Sequence, residues 1–259
     1  MLDYLIVFMP IYTIPLKHFT VIAINGANAT TFLQGQLTCD VHKITETHGS
    51  LGACCDPKGR IIANFYIFRQ KENYYFLLPK SMISFTLNHL KKYAVFSKVK
   101  LAVIDDFTTT IKPPVEIEIR EIKENTWRAL NIEVGLAWIY PQTTMSLIPQ
   151  MINLQIWGAL SFTKGCYIGQ EIIARTHYLG KLKRHLYRAD VISQSLPTPG
   201  DKLKNQKKQD VGMIIEVALK KNKEYKLLAV ILDDGINKNV FLNQVLLKNV
   251  TAIPTKVEN

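Results

Sequence analysis

The residues best arranged for chemistry lie in one octapeptide, Lys164-Gly165-Cys166-Tyr167-Ile168-Gly169-Gln170-Glu171. A cysteine reacts as its thiolate, so its surroundings decide what it can do. Helix-forming composition from Ile168 to His177 puts Cys166 just ahead of a helix N-terminus, where unpaired N–H groups and the positive end of the dipole favour an anion. Lys164, two residues earlier, adds an ammonium, and both influences lower a thiol below its free value of about 8.5. The two glycines permit positive φ and close approach of a ligand to the backbone, while Gln170 and Glu171 can hold the loop by capping. The same residues also fit a plainer description, a tight turn whose cysteine fills a small apolar gap.

The remaining cysteines are Cys39, Cys54 and Cys55, and four in 259 residues are too few for a disulfide framework. None has the paired CxxC spacing of a zinc site, and adjacent Cys54 and Cys55 cannot easily close a disulfide without straining the backbone between them. Both are read as buried structural thiols. The six histidines, His18, His42, His48, His89, His177 and His185, form no HExxH pair. No metal centre is expected. Thirty-two Lys and Arg against 21 Asp and Glu give a net charge of +11, which points to an anionic partner or ligand. RNA, an acidic protein surface and a small ligand with several carboxylates all satisfy it.

The elements that must position these residues follow from apolar periodicity and turn residues. Phe19 to Asn25 reads as a strand ended by Gly26, followed by a helix over Ala27 to Gln36. Cys55-Asp56-Pro57-Lys58-Gly59-Arg60 is turn chemistry between two strands, Leu51 to Cys55 and Ile61 to Arg69. Tyr74 to Leu78 is a further strand, and Ser81 to Tyr93 an amphipathic helix. Between Lys98 and Thr126, strand and loop are expected around Pro113-Pro114. Asn131 to Gly135 is a polar cluster, and a helix is expected from about Gln150 to Leu160. From Leu186 the pattern alternates through Leu186 to Ile192, Val211 to Val217, Tyr225 to Leu232 and Val240 to Val250, punctuated by Pro197, Pro199-Gly200 and Asp234-Gly235. The division is thus an α+β body over 1–185 and a small β-barrel domain over 186–259.

With 47% hydrophobic residues the chain buries a sizeable core. Its longest apolar stretch, Tyr4 to Leu16, is broken by Pro10 and Pro15 and is shorter than the roughly 20 residues a membrane-spanning helix needs. That stretch carries Asp3 and no basic n-region, and no small-residue cleavage site follows it, so a cytoplasmic location is expected.

The octapeptide resembles the KGCYxGQE signature of the folate-binding YgfZ family, relatives of the aminomethyltransferase (T-protein) of the glycine cleavage system. Further segments resemble the family in order. They are Phe32-Leu33-Gln34-Gly35-Gln36-Leu37-Thr38 with Asp40, the turn Cys55 to Arg60, Leu90 to Val99, Asn131 to Gly135, and Ile148-Pro149-Gln150 with Asn153-Leu154. Pro199-Gly200-Asp201 is similar to the start of the family's C-terminal barrel. The resemblance covers nearly the whole chain. It implies an aminomethyltransferase-like folate-binding fold, with domains around a central channel for tetrahydrofolate or a one-carbon derivative. It also implies a role in assembly or repair of iron-sulfur enzymes, including those that thiolate transfer RNA. By the same resemblance Cys166 is the functional thiol with Lys164 beside it, and Glu133 aligns with the acidic residue that contacts the pterin. Asn64, Gln150, Tyr167, Gln170 and Arg175 would join the folate site. A carboxylate suits a pterin because it accepts two parallel hydrogen bonds from the amino-pyrimidine edge. The alternative for Glu133 is an ordinary surface salt bridge.

The chain departs from the family pattern in two places. Ala63-Asn64 stands where the aminomethyltransferases carry an Asp-Asp pair, and Asn64 can position a folate but cannot act as a base at neutral pH. Ordinary aminomethyl transfer is therefore disfavoured. The region 98–130 is shorter than in bacterial members. Three functions follow from these residues: a folate-binding accessory factor, a folate-dependent one-carbon transferase or redox enzyme using Cys166, and a direct tRNA-binding protein. The last rests on Lys181, Lys183 and Arg184 interspersed with Tyr178, His185 and Tyr187, although no RRM, KH or zinc-knuckle motif is present. The same basic run is a candidate for the glutamate tail of folate, whereas such runs are commonly only solvated.

Overall fold

The computed structural model describes residues 12–15, 17–104, 117–120, 122–236 and 239–255. Most of the N-terminal apolar stretch, and Pro113-Pro114, lie outside them. Among the described residues no helix is long and apolar enough to cross a membrane.

Apolar residues on both faces of a strand require cover on both sides. Six of the seven residues of Phe19–Asn25 (β2) are buried, and this strand lies inside a five-stranded antiparallel sheet. Its partners are Ser50–Cys55 (β3), Ile61–Gln70 (β4), Asn73–Pro79 (β5) and Lys100–Ile104 (β6), in the order β3-β4-β5-β2-β6. The expected hairpin is present. Asp56 Oδ1 accepts from the backbone N–H groups of Lys58 and Arg60, each at 2.9 Å, and Gly59 turns the chain at φ +72°. A separate parallel pair joins Tyr12–Pro15 (β1) to Ile117–Arg120 (β7). Two helices are those anticipated, with adjusted ends: Ala29–Gln36 (α1) and Ile83–Ser97 (α2).

Two expectations are corrected. Glu124–Val134 (α3) is a helix, where strand, loop and a polar cluster were expected. It buries Trp127, Asn131 and Ile132 on one stripe, and a polar residue inside that stripe together with exposed Leu130 and Val134 outside it had hidden the period. Conversely, the helix expected over Gln150 to Leu160 is a single 3₁₀ turn, Pro149–Ile152, closed by Asn153 in the left-handed conformation at φ 57°. Gly158, at φ +67°, marks a further reversal rather than a helix interior. The signature helix is Gln170–Tyr178 (α4).

The C-terminal strands are Arg184–Ile192 (β8), Lys202–Lys204 (β9), Asp210–Lys221 (β10), Glu224–Leu232 (β11), Phe241–Leu242 (β12), Val245–Leu246 (β13) and Lys248–Ala252 (β14). They form one curled antiparallel sheet in the order β13-β12-β9-β10-β11-β8-β14. Asp234-Gly235, expected as a turn, falls in a one-turn helix, Asp233–Ile236 (α5). Alternation sends Leu186, Met213, Ile215, Leu228 and Val230 into the main core shared with the five-stranded sheet. Tyr187, Ile214, Leu227, Ala229 and Ile231 face the other way into a second core inside the curl.

Glu216, on β10, is fully buried at the junction. Its carboxylate takes Arg128 Nη1 at 2.5 Å, the Tyr140 hydroxyl at 2.6 Å and the Val217 N–H at 3.0 Å. Arg128 reaches it from α3 while also binding Glu124 Oε1 at 2.7 Å. A buried charge survives only with such partners. Glu216→Ala is therefore expected to destabilise the protein by about 3 kcal/mol, because Arg128 and Tyr140 lose their acceptor. Tyr140→Phe should cost about 1 kcal/mol. Urea unfolding of both variants measures the difference.

Candidate functional site

Four cysteines enter the structure in two states. Cys39, Cys54 and Cys55 are buried, and burial pushes the Cys39 and Cys54 thiols up to about 12 and raises Cys55 well above the ordinary range. Such thiols do not ionise near neutral pH. Cys166 alone is exposed.

The loop carrying Cys166 is fastened along its length. Lys164 Nζ donates to the carbonyls of Leu37 at 2.9 Å and Cys39 at 2.8 Å, and lies 5.0 Å from the centre of the Tyr167 ring. Burial lowers its ammonium to about 8, against the pull of Cys39 and Asp40. The Ile168 N–H donates to the Gly35 carbonyl at 3.3 Å, and Phe162 stacks on His177 with centroids 3.9 Å apart. Gly169 caps α4 at φ +82°, and a Cβ there would lie 2.6 Å from the Asp56 carbonyl oxygen and 2.9 Å from Gly59 Cα. The reverse view is similar, since a Cβ on Gly59 would meet Ile172 at 3.1 Å. The octapeptide and the hairpin turn thus touch backbone to backbone, with a glycine on each side.

This arrangement changes the account of the thiol. The helix begins at Gln170, so Cys166 lies outside its first turn, where the dipole is felt. Lys164 directs its ammonium at carbonyls of the α1 end and acts as a clamp. Exposure on a fixed loop is the property that distinguishes Cys166.

The other nominated residues fall into two groups. Four lie on or against α4. Tyr167 is buried, its hydroxyl has no partner among the described residues, and burial pushes its pKa well up, which keeps the phenol neutral. Gln150 donates from Nε2 to the Ile173 carbonyl at 2.7 Å, leaving a buried Oε1 without a partner among the described residues. Gln170 is half-buried at the head of the helix, and Arg175 is exposed on it with no side-chain partner among the described residues. The second group is at the junction with the C-terminal sheet. Glu133 Oε1 takes Arg188 at 2.8 Å and Oε2 takes Lys226 at 2.6 Å. The hydrogen bond from Lys226, followed by the charge of Arg188, holds its carboxyl below the usual range. Asn64 is fully buried, donating to the Ala137 carbonyl at 2.9 Å and accepting from the Ile139 N–H at 2.8 Å.

The folate implied by the resemblance can be tested against these groups. Glu133 fits, being ionised, half-exposed and engaged by one donor on each oxygen, so each oxygen retains acceptor capacity. The orphaned Gln150 Oε1 and Tyr167 hydroxyl are unspent polar atoms near α4. Asn64 has no free donor pair to offer, since the 137–139 backbone takes both ends of its amide. A cleft of about 440 Å³, lined by Lys17, His18, Lys80, Trp127, Arg128 and Tyr140 among others, includes none of the nominated residues. Among the described residues no cluster of three or more His, Cys, Asp or Glu could hold a metal. Sequence reasoning missed the Phe162–His177 stack and the pairing of Gly59 with Gly169. The second had a signal, a glycine at a fixed place in each motif.

No protein-family model matches the chain. It is 36% identical over 235 residues to an uncharacterised protein of Haemophilus influenzae, covering 81% of this chain and 80% of that protein. It is 31% identical over 249 residues to the tRNA-modifying protein YgfZ of Escherichia coli, covering 75% of this chain and 76% of that one. The chain belongs to the YgfZ family. A further YgfZ, from Hamiltonella defensa, is 31% identical over 257 residues, covering 78% of this chain and 76% of the relative. The fold is that of the aminomethyltransferases. The glycine cleavage aminomethyltransferase T of Bartonella henselae aligns with a TM-score of 0.63 over 92% of this chain and 84% of its own, at 9% identity.

Two outcomes follow for this YgfZ protein. A chromogenic disulfide reagent should find one fast thiol in the native state, lost in Cys166→Ser, with three more appearing only on unfolding. Because the Glu133 carboxyl is depressed on folding, its stabilising contribution is present above the unfolded value of about 4.3 and is lost as pH falls through the folded one. Wild type and Glu133→Gln should differ by under about 1 kcal/mol at pH 7, the pair being solvent-screened, and converge at acidic pH. Thermal unfolding across pH checks this.

Proposed function

We propose that this protein is a tetrahydrofolate-binding accessory factor in tRNA modification, which supports the assembly or repair of iron-sulfur enzymes through the Cys166 thiol. The observation that carries the reading is the single exposed cysteine on a loop pinned by Lys164, Gly169 and the Phe162–His177 stack. The relatives named tRNA-modifying proteins, and the aminomethyltransferase fold, support the setting. Residues 1–185 would form the folate-binding body and 186–259 the C-terminal barrel domain. Glu133 would accept from the amino-pyrimidine edge, with Gln150, Tyr167, Gln170 and Arg175 contributing from the α4 side. Asn64 would act indirectly, by holding the segment that follows Gly135. Bound folate would supply a one-carbon carrier, while the chain's own contribution is an accessible thiol. Its partners would be folate and iron-sulfur enzymes or their assembly factors in the cytoplasm, with transfer RNA as the molecule those enzymes modify. Aminomethyl transfer is not part of the proposal, because buried Ala63 and Asn64 put no carboxylate where that reaction needs one.

Calorimetry with tetrahydrofolate should give binding to the wild type and to Cys166→Ala, and weaker binding to Glu133→Ala. In cells lacking the wild-type gene, Cys166→Ala should fail to restore tRNA thiolation. Absence of tetrahydrofolate binding by the wild type removes the folate premise, and full restoration by Cys166→Ala removes the thiol's role.

A further inference from the structure

The C-terminal end of α4 carries an aromatic group, Phe162 partly buried against the main core and His177 and Tyr178 exposed, whose outward faces neither the folate nor the thiol reading uses. Phe162 and His177 stack nearly parallel, at 14° and 3.9 Å. Tyr178 stands edge-on to both, 4.8 Å from His177 and 6.0 Å from Phe162. Tyr178 is 65% exposed and the next residue, Leu179, 85%. Large apolar side chains left in water at one spot mark an interaction surface rather than a core.

The charges around this spot select the partner. Arg175 lies one turn back on the same helix, and Lys181 and Lys183 follow in the next few residues. All three are exposed, and none has a side-chain ion pair among the described residues. Three acidic groups stand against these three cations, and one of the three is already engaged. Glu171 is exposed on α4, Asp234 is exposed beyond β11, and Asp233 is occupied by His185 at 2.5 Å and by the Tyr187 hydroxyl at 3.3 Å. An apolar protein surface would be served by the aromatics but not by three unpaired cations. A polyanion carrying planar rings uses both, through stacking on the aromatic faces and phosphate contacts to the cations.

We propose that Phe162, His177 and Tyr178, with Arg175, Lys181 and Lys183, form a platform that binds an unpaired segment of RNA beside the Cys166 loop. The segment must be unpaired because bases within a duplex do not present their faces to side chains. The choice of RNA over other polyanions rests on the tRNA-related reading above. Phe162 precedes the octapeptide and His177 closes the helix after it, so a base seated on this stack lies against the two ends of the thiol loop.

The test uses the full-length protein and fluorescence anisotropy with three probes: an unmodified tRNA transcript, a single-stranded 12-nucleotide RNA and a blunt RNA duplex of the same length. Transcript and single strand should bind at low salt, with the duplex at least tenfold weaker. Tyr178→Ala, at an exposed position, should weaken single-strand binding about tenfold, as expected for loss of one stacked base. Lys181→Gln with Lys183→Gln should flatten the slope of log affinity against log salt by about 1.4, or roughly 0.7 for each lost phosphate contact. Tetrahydrofolate binding should be unchanged in Tyr178→Ala, a position outside the residues assigned to folate. The proposal is overturned by failure of the wild type to bind the transcript, by equal binding of the duplex, or by indifference to Tyr178→Ala. Loss of folate binding in Tyr178→Ala also overturns it, by assigning the aromatics to folate. A wild type that binds RNA but no tetrahydrofolate would leave the platform standing and remove only the folate reading.

Discussion

Two turns far apart in the sequence meet with no side chain between them, and the candidate site is organised by that contact. Gly59 and Gly169 are both at positive φ, and a Cβ on Gly169 would sit within 3 Å of two atoms of the other turn. The constraint on Gly169 is not soft, because the obstructing atoms are backbone, whereas Gly59 is closed in by the Ile172 side chain. The hairpin turn is itself rigid, since Asp56 accepts from two backbone N–H groups and from the Arg60 side chain. Whatever fixes that turn therefore fixes the start of α4. Lys164 does the same at the other end of the loop by joining it to the carbonyls after α1. The thiol is placed by the β3–β4 turn and by the chain after α1, both outside its own loop.

Helix α3 plays the corresponding role for the curled C-terminal sheet. Arg128 meets Glu216 on β10, Glu133 meets Arg188 on β8 and Lys226 on β11, and Asn125 exchanges two hydrogen bonds with the backbone of Leu219. One buried ion pair, two screened pairs that share Glu133 and one neutral pair thus lie along a single helix. The buried one carries the largest penalty if broken, since a charge removed from water has no substitute partner. Glu133 stands in both accounts, as the candidate pterin acceptor and as a fastening between layers, and a ligand there would share its carboxylate with Arg188 and Lys226.

Much of the fold was legible because local rules and packing agreed. Phe19–Asn25 and the Asp56 to Gly59 turn were read at their observed positions, since an apolar run between turn residues has few alternatives. Helix α3 was not read, because its buried stripe includes the polar Asn131 while the apolar Leu130 and Val134 lie on the exposed side, which blurs the helical period. The stretch after Pro149 was over-read as a helix, since neither proline at a first turn nor apolar composition announces that Asn153 will close it. At the site, the octapeptide identified Cys166, but the partners of Lys164 lie more than a hundred residues away and no spacing reveals them. The partners of Asn64 are equally beyond sequence reach, its amide lying between the Ala137 carbonyl and the Ile139 N–H.

The double fastening of the Cys166 loop has a consequence for how the thiol meets anything. A loop held by a glycine contact at one end, a lysine clamp at the other and an aromatic stack closing its base has little slack with which to swing toward a reactant. Reach must come from the other molecule. On the proposed role, a client with a mobile segment could deliver its own sulfur or metal-bearing group to a stationary thiol, whereas a client whose group is recessed in a rigid pocket could not be served. The stiffness of this one loop would then sort clients by their flexibility before any chemical preference is exercised.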